Sequence, residues 1–243
     1  MIMGGGPQGK PDKTDAIDNV DIVDLKQANP QFIQAAPLNL PRIHLNSVLL
    51  PDHTVFVTGG SLKQEDEPLA RLQAEIYDPA TDDWTLTAAS RVPRLYHSTA
   101  LLLPDGRVVA AGGNPEATTL VPWDQDPIHE EMRLEIFSPP YLFRGPRPTI
   151  TGVSTEWKYG QTFQINSPDA GSIRWASLLR NCVTTHSFDG SQRLVDLDIN
   201  AQAGGIVTIT ITNNPNIAPP GWYMLFLVNN NGIPSVASWV HLS

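Results

Sequence analysis

Cysteine is almost missing from this chain. A single one, Cys182, stands among 243 residues, which excludes an internal disulfide framework and any zinc site built on paired cysteines. Long apolar runs are missing too: none approaches the ~18 consecutive apolar residues that cross a bilayer as a helix. The opening "MIMGGGPQGK" has neither the basic nor the apolar stretch of a secretory leader. Basic charge is scarce. Lys and Arg total 16 against 25 Asp and Glu, a net charge of -9 at pH 7, and the cations are scattered singly, so there is no stripe to neutralise phosphates or settle on anionic lipid. Nucleic acid and membrane surfaces are therefore not expected as partners, and the compartment stays open.

What is abundant is punctuation. Pro at 22 and Gly at 18 interrupt helices and mark turns, which predicts an all-β protein. The 41% of hydrophobic residues suffices for one large or two modest cores, and two domains are expected. The chain also repeats itself. "HLNSVLLPDHTVFVTGG" (44–60) aligns with "HSTALLLPDGRVVAAGG" (97–113), placing His44 over His97 and the pair Gly59, Gly60 over Gly112, Gly113. Gly5 and Gly6 precede the first pair by the same interval that "DIVD" (21–24) precedes "EIYD" (75–78). A period of about 50 residues is that of a propeller blade.

Inside a copy, "HSTALLL" passes through "PDG", whose Gly106 accepts positive φ, into "RVVAAGG", a hairpin. "LQAEIYDP" or "RLEIFSP" follows as a third strand and, in the middle copy, "DDWTLTAA" as a fourth. The first copy begins at its second strand, and the last runs from "FSPPYLFRGPRP" into a proline-rich connection without a fourth. Residues 1–145 thus read as a partial kelch-type β-propeller of under three blades. A closed ring of about four to eight blades protects its sheet edges, whereas so short an arc leaves them open. The expectation is part of a longer polypeptide, a truncated product, or a chain that needs a partner. From 146 to 243 seven short strands are predicted, "PTITGVS", "TFQINS", "SIRWASLLR", "RLVDLDI", "IVTITIT", "GWYMLFLVN" and "SVASWVHL". In "IVTITIT", Val207, Ile209 and Ile211 alternate with threonines as a half-buried strand does. Seven such strands describe an immunoglobulin-like sandwich.

Tyr96 and His97, in "RLYHSTALLLPDGRV", are the pair that could carry chemistry. Packing does not require either at a strand start, and phenolate and imidazole both ligate metals. Neighbours along a regular strand point to opposite faces, so the two can serve one ion only if the strand starts irregularly. Most other candidates read as structural: His44 as a blade residue, His53 as a solvent-facing turn, His241 at a strand end, Cys182 as a small buried side chain, and Tyr77, Tyr141, Tyr159 and Tyr223 as strand or turn positions. His129 has no nameable partner. Of the tryptophans, Trp84, Trp175, Trp222 and Trp239 are expected to pack, and only Trp123 is placed to meet a ligand.

"YHSTALLLPDGRV", "EIFSPPYL", "PPGWYMLFLVN" and "GIPSVASWV", in this order, resemble the C-terminal portion of the galactose oxidase and glyoxal oxidase family of copper radical oxidases, including its early-set domain. The resemblance implies copper (Cu2+) held by two tyrosines and two histidines, with one tyrosine cross-linked to a cysteine and storing a radical. It implies oxidation of a primary alcohol, small aldehyde or carbohydrate by O2, giving H2O2. Carried over, Tyr96 is the axial tyrosine and catalytic base, His97 the adjacent ligand, and His186, in "TTHSFDGSQR", the second histidine. The family's cross-linked Cys and Tyr lie in earlier blades, so Cys182 is not that residue and the radical cofactor is not expected in this chain. An extracellular location follows from the resemblance alone. The alternative is a non-catalytic β module that binds a carbohydrate or a protein partner and keeps the ligands as relics.

Overall fold

Proline-broken, alternating segments of the first 137 residues pair only with close neighbours in sequence, so they form small separate sheets. A computed structural model describes residues 1–6, 15–63, 66–114, 130–180 and 186–243. Cys182, Trp123 and His129, and the loop 7–14, lie outside the described residues. β1 (Ile2–Met3), β2 (Val20–Val23) and β3 (Phe32–Gln34) make one sheet. β4 (Asn46–Leu49), β5 (Val55–Thr58), β6 (Gln73–Asp78) and β7 (Asp83–Ala89) make a four-stranded second, and β8 (Ser98–Leu102), β9 (Val108–Gly112) and β10 (Glu135–Phe137) a third. All neighbours are antiparallel and consecutive. These are propeller blades, with three, four and three strands in turn among the described residues.

Two arginine–glutamate ion pairs, the first fully buried and the second partly, hold the second and third blades. Arg42 donates to Glu75 at 2.6 Å with both side chains 0% exposed, and to the carbonyls of Gly59 and Gln73. Arg94 repeats this in the third blade, donating to Gly112 and Arg133 carbonyls and to Glu135. A charge taken out of water must be paired and hydrogen-bonded; the Arg42 guanidinium meets this through the Leu40, Gly59 and Gln73 carbonyls and Glu75, whereas Arg94 bonds through its two terminal nitrogens and its Nε finds no partner among the described residues. Gly59 sits where the blades meet: at φ +73, a Cβ would lie 2.6 Å from the Arg94 carbonyl, so only glycine fits this approach.

The last hundred residues form β11 (Glu156–Trp157), β12 (Thr162–Asn166), β13 (Ile173–Arg180), β14 (Arg193–Ala203), β15 (Ile206–Thr210), β16 (Gly221–Asn229) and β17 (Ser238–Leu242), ordered β11-β17-β16-β13-β14-β15-β12. Eleven-residue β14 belongs to both layers. It pairs with β13 through Leu197 and with β15 from Asp198, with a register shift between Ile199 and Ala201; such a bulge bends a strand and folds the sheet over its own core. Val207, Ile209 and Ile211 enter that core as the alternation predicts, alongside Trp157, Ile165, Tyr223 and Leu225. Among the described residues there is no α-helix; the protein is all-β. The predicted strand "PTITGVS" does not form. Pro148 has no amide to donate, a lone bridge joins Gly152 to Asn166, and the strand falls later, where buried Trp157 donates to the Ser154 carbonyl at 2.7 Å.

The other face of this sheet packs on the blades, where Leu179, Met224 and Phe226 join Val48, Leu50 and Leu102. Polar contacts at the hairpin turns fix the alignment. Trp175 of the sandwich donates to the Pro51 carbonyl of the second blade at 3.1 Å, and Ala237 donates to the Pro104 carbonyl of the third at 2.8 Å. His53 differs from the solvent-facing turn expected: its ring stacks on Trp175 at 4.4 Å and meets Asp196 at 2.9 Å. Burial alone would raise the Asp196 carboxyl, but hydrogen bonds from His53 and Ser177 outweigh it and hold the group below the usual carboxylate range. A depressed carboxylate pKa stabilises the fold above the unfolded value, and that contribution is lost as pH falls through the folded one. Asp196→Asn is therefore expected to lower the melting temperature at pH 7, with the gap to the parent closing below about pH 4. A gap that persisted unchanged at low pH would show that ionisation of Asp196 is not what holds this junction.

Candidate functional site

Blade geometry brings the sequence-predicted residues together. In the second blade one residue, Ile43, separates buried Arg42 from His44. In the third, two residues, Leu95 and Tyr96, separate buried Arg94 from His97. The two arginines hold equivalent anchors, so the third blade carries one extra residue just where Tyr96 stands. The turn is closed by Ser98 donating to the Leu95 carbonyl at 3.0 Å and Asn114 to that of Tyr96 at 3.0 Å. His97 enters β8 with φ +60, a left-handed conformation that breaks strand alternation. Both rings consequently lie on the same side, stacked at 3.8 Å with an interplanar angle of 29°.

His186 comes from the β13–β14 connection, also left-handed at φ +52. Its ring lies 5.1 Å from that of His97 at 84° and 5.5 Å from that of Tyr96 at 69°. The connection is tied to the second blade: Asp189 accepts from the Gln192 amide at 2.9 Å, and the Gln192 side chain donates to the Ser47 carbonyl at 3.0 Å while accepting from Leu49. Tyr96 is half-buried, and His97 and His186 are exposed. Neither the Tyr96 hydroxyl nor the His97 imidazole hydrogen-bonds to any described residue. His44 lies beside them with its ring 5.2 Å from Tyr96. Burial, then His97, hold its imidazole below the ordinary histidine range, so it is neutral at pH 7.

Non-glycine residues at positive φ cost about 1–3 kcal/mol each and persist where surrounding structure or function requires them. Of the six among the described residues, His44, His97 and His186 lie at this cluster, and His53, Asp82 and Ser187 are the others. The cluster of Tyr96, His97 and His186 thus presents one phenol and two imidazoles, a combination of groups that suits Cu(II). Among the described residues no group of three His, Cys, Asp or Glu is placed to hold an ion, so His44 does not complete an all-imidazole alternative.

Residues 10–141 match the family described as glyoxal oxidase N-terminus, and residues 147–242 match the galactose oxidase-like early-set domain. The chain belongs to the glyoxal oxidase and galactose oxidase family. Among curated relatives, a galactose oxidase from Gibberella zeae is 32% identical across 100% of this chain and 36% of its own length. An aldehyde oxidase of Vitis pseudoreticulata is 41% identical over 65% of this chain and 31% of its own. A fungal alcohol oxidase solved in complex with copper superposes with a TM-score of 0.85 at 31% identity, covering 99% of this chain and 50% of that one. The chain thus spans about a third of those curated family members and half of the solved one.

Sequence reasoning missed the buried arginines, the Gln192 clamp and the proximity of His44. One signal was available for the first: an arginine shortly precedes the histidine in both "PRIH" and "PRLYH".

Proposed function

We propose that this chain carries three protein ligands of a copper centre, Tyr96, His97 and His186, and belongs to an oxidase of primary alcohols or small aldehydes. The observation that carries this reading is the convergence of three rings from two structural units, with the two histidines at strained left-handed positions and the Tyr96 hydroxyl and His97 imidazole making no hydrogen bond to a described residue. Copper held there would supply a Lewis acid and a one-electron acceptor. His97 and His186 would fix it from the third blade and the sandwich. Tyr96 Oη, beside them and half-buried, would take the proton of a substrate hydroxyl as general base. Neutral His44 adds no positive charge to oppose a cation.

Oxidation of an alcohol to an aldehyde releases two electrons and two protons, which convert O2 to H2O2. The second electron needs an acceptor that these residues do not provide: the one cysteine, Cys182, is four positions from His186, and Tyr96 already serves as base. This chain alone is therefore expected to bind copper without turning over. The test is a copper titration followed by peroxide detection with a primary alcohol and with a small aldehyde. Nitrogen hyperfine structure without peroxide supports the reading, and peroxide production by the isolated chain contradicts its second half.

A second reading, a non-catalytic module for a glycan or protein partner, draws on Trp222 and Trp239. They stand 53% and 46% exposed on one face of β16 and β17, by their register with His241 and Met224. Exposed aromatic faces mark binding surfaces. Absence of copper binding above background, together with retention on immobilised oligosaccharide, would favour it.

A further inference from the structure

We propose that His44 is a positioning residue for Tyr96, setting the orientation of its phenol ring from the neighbouring blade; this rests on the copper reading above. The second blade does not need an imidazole at this place. Its backbone is left-handed at φ +62, a conformation that glycine or asparagine adopts with less strain. The His44 ring is half-buried, yet it hydrogen-bonds to no described residue. What it touches is Tyr96, at 5.2 Å and a tilt of 60°, within the range of favourable tilted aromatic pairs.

Tyr96 consequently has His97 stacked on it and His44 inclined against it, with His186 edge-on at 5.5 Å. Both of the other rings are assigned to the metal. Of the three neighbouring rings, His44 is the one with no ligand role in this reading, so its contact with the phenol does not depend on a bound ion. Its own position is fixed by contacts between the strand starts of the two blades, not by a loop. The Asn46 side-chain amide donates to the Ser98 hydroxyl at 2.8 Å, Gly60 donates to the Arg94 carbonyl at 2.7 Å, and the Gly59 approach leaves no room for the blades to slide. Repeat symmetry thus gives the histidine of one blade to the metal and the histidine of the preceding blade to the tyrosine.

His44→Asn keeps a residue tolerant of the left-handed backbone and removes the ring, whereas His44→Phe keeps a ring without nitrogens. Both are compared in the full chain with two readouts. In metal-free protein, proton NMR of the Tyr96 ring should report one ordered environment in the parent and in His44→Phe. In His44→Asn the packed orientation should fall by about 3- to 10-fold. In copper titrations the phenolate-to-Cu(II) charge-transfer band should weaken in His44→Asn by a similar factor while nitrogen hyperfine from two imidazoles persists, and His44→Phe should restore it. A His44→Asn protein matching the parent in both readouts overturns the proposal. If the parent binds no copper, the copper reading fails by itself, and the metal-free NMR comparison still decides the role of His44.

Discussion

Replacing Glu75 by alanine is expected to lower the unfolding free energy by about 3–5 kcal/mol, the range for breaking a buried ion pair on one side. At about 2–4 °C per kcal/mol for a chain of this size, the melting temperature should fall by roughly 6–20 °C. The Glu75 carboxylate accepts from Arg42 at 2.6 Å and from the Asn39 and Leu40 amides at 2.8 and 3.2 Å. Its removal leaves a guanidinium at 0% exposure with its charge unpaired and two amides without their acceptor. Replacing Arg42 and Glu75 together by apolar residues of similar volume should cost less than Glu75→Ala, because no isolated charge remains. Thermal melts of the single and double variants check both statements. A loss under about 1 kcal/mol in the single variant would mean that water reaches Arg42 once the carboxylate is gone.

The parts of the fold that were legible in the sequence are those whose cause is local. Alternating apolar residues and Pro-Asp-Gly turns need only their own segment to be read, so the blade copies and the strand Ile206–Thr210 could be placed without coordinates. Arg42 and Arg94 look like ordinary surface cations in sequence. Their burial depends on Glu75 and Glu135, more than thirty residues away along the chain. His53 reads as a turn residue until Trp175 and Asp196 arrive from the sandwich.

At the site, Tyr96 and His97 could be named, but not their common face. A left-handed φ at His97 leaves no trace in hydrophobic periodicity, and it is what removes the objection that adjacent strand residues diverge. His44 was legible as a repeat mate of His97 and illegible as a neighbour of Tyr96, because the packing of one blade on the next decides which side chains meet.

Substituting glycine for His97 separates the two readings of the imidazole, because it should lower copper affinity while leaving the stability of the metal-free protein nearly unchanged. Glycine adopts φ +60 without the Cβ conflict that an L residue meets, which offsets its larger loss of chain entropy on folding. The His97 side chain is exposed and makes no hydrogen bond to a described residue, so the contact given up is its stacking on Tyr96. Metal-free His97→Gly should therefore keep its stability within about 1 kcal/mol of the parent. Copper affinity should fall by about 100-fold or more, because losing a direct ligand exceeds the 10- to 100-fold effect of losing a ligand's supporting partner. His186→Gly, at φ +52, should lower copper affinity by a similar factor, and combining the two should leave only the phenol and background binding. Isothermal titration with Cu(II) gives the affinities and metal-free melts give the stabilities. If His97 were a packing residue, glycine there would destabilise the apo-protein by several kcal/mol and leave copper affinity where it was. Residues kept strained for a ligand show the reverse, since relieving the strain harms only the binding.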